Sequence, residues 1–206
     1  MKKIIYLFLL VTVVVACSKT PEQKAEAIIK EELKKSLYKP DTYKPIDTKV
    51  DSAFAPYDDA ELFNLLTEYG ELNRNFEILE EEARSEKSSM ALWNDPYMSE
   101  YSRNEYQEAK EKYDEANAKI EIIREKGIKI AEKIKAKLEK GRKFIGYKVE
   151  HNYRADNNAG NTLIGDDIFF FDKNMEKIVF AVTTEGYNSY LKDIKTIEEE
   201  IKSGAE

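Results

Sequence analysis

The only histidine of the chain, His151, is the first residue to consider for chemistry. It lies in a segment in which apolar and polar residues alternate, on the same side as Val149 and Tyr153. An imidazole at this position could serve as a general base or as a metal ligand. A zinc site needs several Cys, His or acidic ligands, and the sequence has no second histidine to complete one. We therefore expect His151 to be a hydrogen-bonded residue of the core, and we expect neither a metal nor a cofactor.

The acidic residues near the turns form no catalytic or calcium-binding pattern. Asp166 and Asp167 are neighbours in a strand-like segment, so their side chains point to opposite faces and are not a paired acid and base. The run 156–161 superficially resembles a calcium loop, but Gly160 stands at its fifth position and no glutamate stands at the twelfth. Asn and Gly are typical of tight turns. Since no nucleophile motif is present either, the sequence predicts a protein without enzymatic activity.

The only cysteine, Cys17, follows a segment with the features of a signal peptide. Two lysines precede an apolar run from residue 4 to residue 16, which a single threonine interrupts. This run is shorter than the roughly 20 residues that span a bilayer as a helix, which favours a removed signal over a membrane anchor. The residues 14–16 and the cysteine resemble a lipobox, in which cleavage leaves the cysteine as a lipid-modified N-terminus. We predict a lipoprotein signal peptide over 1–16 and lipidation of Cys17, rather than an ordinary secretory signal.

The composition indicates an acidic protein whose fold is stabilised without disulfides. Lys and Arg number 33 against 40 Asp and Glu, which gives a formal net charge of −7. Nucleic acid is excluded as a partner, because the basic residues alternate with acidic ones along the helical stretches and form no basic face. The same charge argues against broad adhesion to anionic lipid, so membrane attachment should depend on the acyl chains at Cys17. One cysteine allows no intramolecular disulfide, and 42% hydrophobic residues suffice for a core.

The middle of the chain predicts a helical hairpin. Apolar residues recur there at alternating steps of three and four in two stretches. Two helices with matching seams are expected to pair, here as a long antiparallel coiled-coil hairpin over 58–140. We expect the first arm to run from about residue 58 to 84 and the second from about residue 99 to 140. The longer second arm leaves isoleucines that we expect the sheet and the first helix to bury: Ile128, Ile130 and Ile134.

The segments on either side of the hairpin predict a small sheet with flanking helices. Apolar and polar residues alternate over 46–54 and in three segments after residue 141, with Asp, Asn and Gly in the turns between them. A Thr-Pro start predicts an N-terminal helix, and an amphipathic helix ends the chain. The expected class is α+β, an antiparallel sheet of three to four strands into which the hairpin is inserted. We expect 17–57 and 141–206 to pack as one domain.

Four segments of the mature chain carry a resemblance to a known family. They are 25–57, 88–90, 104–110 and 153–160, and the similarity around them extends over most of the mature chain. They resemble an uncharacterised family of lipoproteins from Bacteroidales. None of the segments is a chemical motif. The resemblance therefore implies a location in the bacterial envelope and supplies no catalytic residues.

The segment between the two arms is rich in aromatic residues and methionine and contains the only tryptophan. Trp, Tyr and Met are typical of surfaces that bind partners. The alternative is that this segment folds back along the longer arm and caps the hairpin. The candidate contact residues are Met90, Trp93, Tyr97, Met98 and Tyr101.

These features favour a membrane-anchored envelope lipoprotein that binds a protein or glycan partner and has no enzymatic activity. One alternative is a small-ligand binder or inhibitor module with a pocket between a curved sheet and its helices. Another is an envelope hydrolase, which would need His151 in a cleft beside a carboxylate or serine. Ser18 differs from the aspartate that retains lipoproteins in the inner membrane of enteric bacteria, so we expect the outer membrane, facing the periplasm.

Overall fold

The chain folds as an α+β protein with a four-stranded antiparallel sheet and a long helical hairpin, as the sequence predicted. The computed structural model describes residues 19–94 and 99–203. In chain order the elements are α1 (Pro21–Leu33), a 3-10 helix (Pro40–Thr42), β1 (Lys44–Ala55), α2 (Ala60–Trp93), α3 (Glu100–Leu138), β2 (Lys143–Asp156), β3 (Thr162–Phe171), β4 (Ile178–Thr183) and α4 (Thr184–Ser203). The strands lie in the order β1-β2-β3-β4, and all neighbours are antiparallel.

The chain divides into two compact units. Of the described residues, 19–60 and 142–192 form one, which we call the sheet unit. Residues 61–94, 99–141 and 193–203 form the other, which we call the hairpin unit. No helix in the described part of either unit is both long and apolar enough to cross a membrane.

In the sheet unit, α1 begins at the Thr-Pro start that the sequence predicts, and Thr20 forms a capping box there. The Thr20 hydroxyl accepts a hydrogen bond from the Gln23 N–H at 3.3 Å, and the Gln23 side-chain oxygen accepts one from the Thr20 N–H at 3.1 Å. Two otherwise unpaired backbone donors are thereby satisfied. The apolar face of α1 then packs on the sheet through Ala25, Ile29 and Leu33, all of which are buried.

The face of the sheet under α1 is built mainly by β2, which buries every second residue from Val149 to Ala155. Tyr153 lies directly opposite Gly165 of β3. A Cβ atom at Gly165 would stand 2.2 Å from the Tyr153 ring, so only glycine lets this ring lie across the neighbouring strand. Aromatic side chains also pack on the other face of the sheet. There the rings of Phe170 and Phe180 are stacked with their centroids 4.1 Å apart.

In the hairpin unit, α2 and α3 pair through small and large apolar residues. Ala83, Ala116 and Ile120 form a buried cluster, and partly buried aromatic and aliphatic side chains pack around it: Phe76, Leu79 and Tyr113. Alanines at the seam allow the two backbones to approach closely. The predicted pairing of the two arms is confirmed.

The first arm is longer than the sequence analysis placed it. Helix α2 continues to Trp93, whereas we expected it to end near residue 84. The stretch 85–92 contains neither Gly nor Pro, so nothing in it breaks the helix, and the Ser88 hydroxyl donates to the Arg84 carbonyl at 3.0 Å within it. Met90 and Trp93 therefore lie in the last turns of α2, and Tyr101 lies in the first turn of α3, rather than in a connecting loop.

The expectation that Ile128, Ile130 and Ile134 would all be buried was wrong for the first of them. Ile130 and Ile134 are buried within the hairpin unit. Ile134 lines a cavity together with Tyr69 of α2 and Ile197 of α4, so these two helices supply part of its surroundings. Ile128 remains 55% exposed.

Candidate functional site

His151 is fully buried in the sheet unit, with both ring nitrogens hydrogen-bonded. Its Nε2 lies 2.8 Å from the Tyr43 hydroxyl, and its Nδ1 lies 2.9 Å from the Thr48 hydroxyl. A neutral imidazole has one donor and one acceptor, and a hydroxyl serves either role, so both nitrogens are satisfied without a charge. The ring is stacked near those of Tyr43 and Tyr153, with centroids 6.0 and 5.6 Å away.

Burial also sets the charge state of this cluster. It lowers the pKa of His151 from 6.5 to about 4, and the carboxylate of Asp47 opposes the shift only in part. Burial likewise raises the pKa of Tyr43 to about 12. At neutral pH the histidine is therefore an uncharged imidazole between two hydroxyls. This confirms the expected core histidine, because a ring with no exposed surface is not presented to a substrate.

The two neighbouring aspartates of β3 are separated by the sheet, as their spacing predicted. The Asp167 carboxylate accepts a hydrogen bond from the Tyr153 hydroxyl at 2.9 Å, and Asp166 accepts one from the Thr184 hydroxyl at 2.6 Å. Burial, with a contribution from the charge of Asp166, raises the pKa of Asp167. The hydroxyl of Tyr153 thus links the buried rings to a carboxylate, and the two acids do not face a common substrate position.

The turn between β2 and β3 is held by hydrogen bonds among its own residues. Asn157 accepts hydrogen bonds from the Asn161 N–H at its side-chain oxygen (3.0 Å) and from the Gly160 N–H at its carbonyl (3.0 Å). Gly160 has a φ of 86°, a conformation that favours glycine. In the part of the chain that the structure describes, no group of three or more His, Cys, Asp and Glu residues is placed to hold a metal ion.

Asp58 is a buried carboxylate that the sequence analysis did not single out. Its Oδ2 accepts a hydrogen bond from the Phe54 N–H at 2.7 Å, and its Oδ1 accepts one from the Tyr187 hydroxyl at 2.5 Å. Burial, together with the charge of Asp58, raises the pKa of Tyr187. Asp58 thereby fixes the end of β1 to the start of α4. An aspartate after a strand signals a turn, but its partner 129 residues away leaves no mark on the local sequence.

The end of the hairpin exposes apolar side chains. Leu92 is 75% exposed and Tyr101 is 63% exposed, whereas Met90 and Trp93 are half-buried. Trp93 and Tyr101 meet edge to face with their ring centroids 5.8 Å apart, across the junction between α2 and α3. Of the other predicted residues, Tyr97 and Met98 lie outside the described residues. Among the described residues, the structure thus brings Trp93 and Tyr101 together, and Leu92 and Tyr101 are largely exposed.

Known proteins supply no function for this chain. No protein-family model, no curated protein and no solved structure matches it. The similarity to lipoproteins of Bacteroidales stays a prediction, and so does the lipidation of Cys17, which lies outside the described residues.

Proposed function

We propose that the protein is a lipid-anchored lipoprotein of the bacterial envelope that binds a partner, a protein or a glycan, through the end of its helical hairpin and catalyses no reaction. Its signal peptide is removed before Cys17, whose acyl chains hold it in the outer membrane, facing the periplasm. The observation that carries the binding function is the exposure of two large apolar side chains, Leu92 and Tyr101, at the end of the hairpin, where Tyr101 packs on the half-buried Trp93. We call these three residues the hairpin end.

The anchor is supported by the order of segments at the N-terminus. A charged start, a short apolar run and a lone cysteine precede Pro21, where the soluble helix α1 begins. Only three residues separate Cys17 from that helix, so the linker is short and the folded chain would stay close to the membrane surface. Stable attachment requires more than one acyl chain, which is what a modified N-terminal cysteine of this type carries.

The binding surface is supported by its chemistry. Large apolar side chains that cluster in an exposed position are unfavourable in water and typically mark interaction sites. Aromatic residues contribute most to binding when a partner surrounds them, because they bury a large area with few rotatable bonds. The exposed leucine beside the aromatic pair favours a protein over a glycan, since a glycan needs polar groups around the ring on which it stacks.

The charges near the hairpin end indicate what its partner offers. Residues 77–93 and 100–123, the half of the hairpin that includes this end, hold twelve Asp and Glu against six Lys and Arg. A complementary surface would carry basic residues around an apolar centre. We therefore expect the association to slow as ionic strength rises, because salt screens attraction between exposed charges.

Replacement of Leu92 and Tyr101 by serine together should weaken partner capture at least about tenfold, since two exposed anchors are lost. The melting temperature should change little, because neither side chain is part of a buried cluster. The measurement is quantitative capture of bound envelope components by the purified chain. Ile78→Ser is the matched control, as Ile78 is also a large, 65% exposed residue of α2 but lies outside the hairpin end.

Two results would contradict this assignment. Equal capture by the wild type and by the double variant would show that the hairpin end makes no essential contact. A loss of capture in Ile78→Ser as large as in the double variant would show that general apolar exposure, rather than this surface, retains the bound material. Capture that a soluble glycan abolishes, and a basic protein does not, would assign the surface to a glycan.

A further inference from the structure

We infer that two copies of this chain associate through α3 in antiparallel orientation, with a two-fold axis beside Ile128. This contact uses a different part of the hairpin from the proposed partner surface at its end. The tests of this dimer contact are therefore independent of the tests of the proposed function.

Ile128 is an exposed apolar residue of α3, the second helix of the hairpin. It is 55% exposed, although Ile130 and Ile134 on the same helix are buried. Two cavities of about 380 and 260 Å³ adjoin it, and both are also lined by Tyr69 and Ala131. The Ile128 side chain thus lies between two hollows, which are these largely apolar cavities. A second apolar knob can enter such hollows as the knobs of packed helices do.

Gly127 enlarges one of these hollows. A Cβ atom at this position would meet no atom within 4 Å, so the packing of the hairpin does not require a glycine here. Glycine inside a helix is nevertheless less favourable than alanine. The missing side chain leaves room beside Ile128, and an incoming helix would use that room.

The charges around Ile128 identify a second copy as the occupant. In an antiparallel pair with a two-fold axis at residue 128, residues at equal distances on either side of this position face each other. Glu121 then faces Lys135 of the second copy, and Arg124 faces Glu132 of the second copy. Symmetry repeats each opposite-charge pair on the other side of the axis. The parallel arrangement would instead set each of these charges against its own kind.

All five side chains of this pattern are available for the contact. Their spacing of three and four residues places them along one stripe of α3, and all are exposed: Glu121, Arg124, Ile128, Glu132 and Lys135. Within one chain Arg124 is paired with Glu121 at 2.6 Å. An exposed pair of this kind contributes little, so exchanging it for pairs across the dimer requires little free energy.

A cysteine at the axis tests the geometry directly. In full-length Ile128→Cys, the two introduced thiols would lie within disulfide distance, so mild oxidation of membranes from producing cells should yield a covalent dimer. Ile122→Cys is the matched control, because Ile122 is 54% exposed on the same helix but lines a different cavity, with Ile78 and Leu79. The wild-type chain measures any contribution from Cys17.

The expected result is a covalent dimer from Ile128→Cys at a level well above that from Ile122→Cys and from the wild type. No dimer from Ile128→Cys, or equal dimer from both variants, would overturn the inference. A disulfide that joins the Ile128→Cys chain to a different protein would also overturn it, since the groove would then belong to another partner.

A charge exchange tests the register in the purified full chain. Glu121→Lys should weaken dimerisation about tenfold, which corresponds to ~1.4 kcal/mol, because it sets lysine against Lys135 of the second copy. Combining it with Lys135→Glu should restore the wild-type dissociation constant, measured by sedimentation equilibrium. The introduced lysine repels Arg124 of its own helix equally in both variants, so this repulsion cancels in the comparison. Failure of the double variant to recover would overturn the register.

Discussion

Replacement of His151 by leucine should lower the free energy of unfolding by about 3 kcal/mol at pH 7. The imidazole satisfies the hydroxyls of Tyr43 and Thr48, and Tyr43 is itself buried. Leucine has a similar volume but no polar atom, so it leaves these hydroxyls without their partner in the core. The measurement is chemical denaturation followed by circular dichroism.

His151→Gln is the matched control, because an amide keeps one donor and one acceptor near the same positions. We expect it to recover part of the lost stability. If His151→Leu were as stable as the wild type, the hydrogen bonds of this cluster would have no net effect on folding. Equal losses in both variants would show that ring packing, rather than hydrogen bonding, determines stability here.

The same residue should make the protein sensitive to acid. The pKa of His151 is about 4 when folded and 6.5 in the reference state, so the unfolded chain takes up a proton more readily. Stability is therefore present in full above pH 6.5 and is lost as the pH falls from 6.5 to about 4, by up to about 3 kcal/mol. The raised pKa of Asp167 acts in the opposite direction, since its protonation favours the folded state.

Comparison of the wild type with His151→Gln separates these effects, because only the wild type contains the histidine. Between pH 7 and about pH 4.5 the wild type should lose more stability than the variant. Asp167 is present in both proteins, so its effect cancels in the difference. A variant that lost as much as the wild type over this range would contradict the assignment to His151.

Replacement of Cys17 by serine should transfer the protein from the membrane fraction to the soluble fraction or leave it as an unprocessed precursor. The serine cannot carry the acyl chains on which attachment depends, and a chain with a formal net charge of −7 is not attracted to anionic lipid. Cell fractionation followed by mass measurement of the chain checks both outcomes.

Ser18→Ala is the matched control for this variant, because it alters the neighbouring residue and leaves the cysteine in place. It should behave as the wild type does. A Cys17→Ser protein that stayed in the membrane with the mass of the processed wild type would contradict the lipoprotein assignment.

The sequence predicted the elements of the fold better than their lengths. Alternation of apolar and polar residues located all four strands, and the Thr20-Pro21 start located the beginning of α1. The end of α2 was misplaced because its apolar periodicity fades after Ala83 while the backbone remains helical to Trp93. Periodicity reports which face is buried, and a helix that extends beyond its buried face leaves no such signal.

The candidate site was predictable in kind but not in its contacts. The position of His151 in an alternating strand indicated a core residue, yet its partners Tyr43 and Thr48 lie 108 and 103 residues away in sequence. Which hydroxyls reach it depends on the register of β1 against β2, and that register includes two irregularities. The prediction that Ile128 is buried failed for a similar reason. An apolar side chain in a helical pattern does not by itself show whether another element covers it.

The most direct test of the proposed function is crosslinking from the hairpin end in living cells. A photoreactive amino acid at position 92 of the otherwise wild-type chain reports what lies against the exposed leucine. The same probe at position 78 is the control. We expect a discrete adduct with one envelope component from position 92 and not from position 78. No adduct from position 92, or the same set of adducts from both positions, would contradict the proposed function.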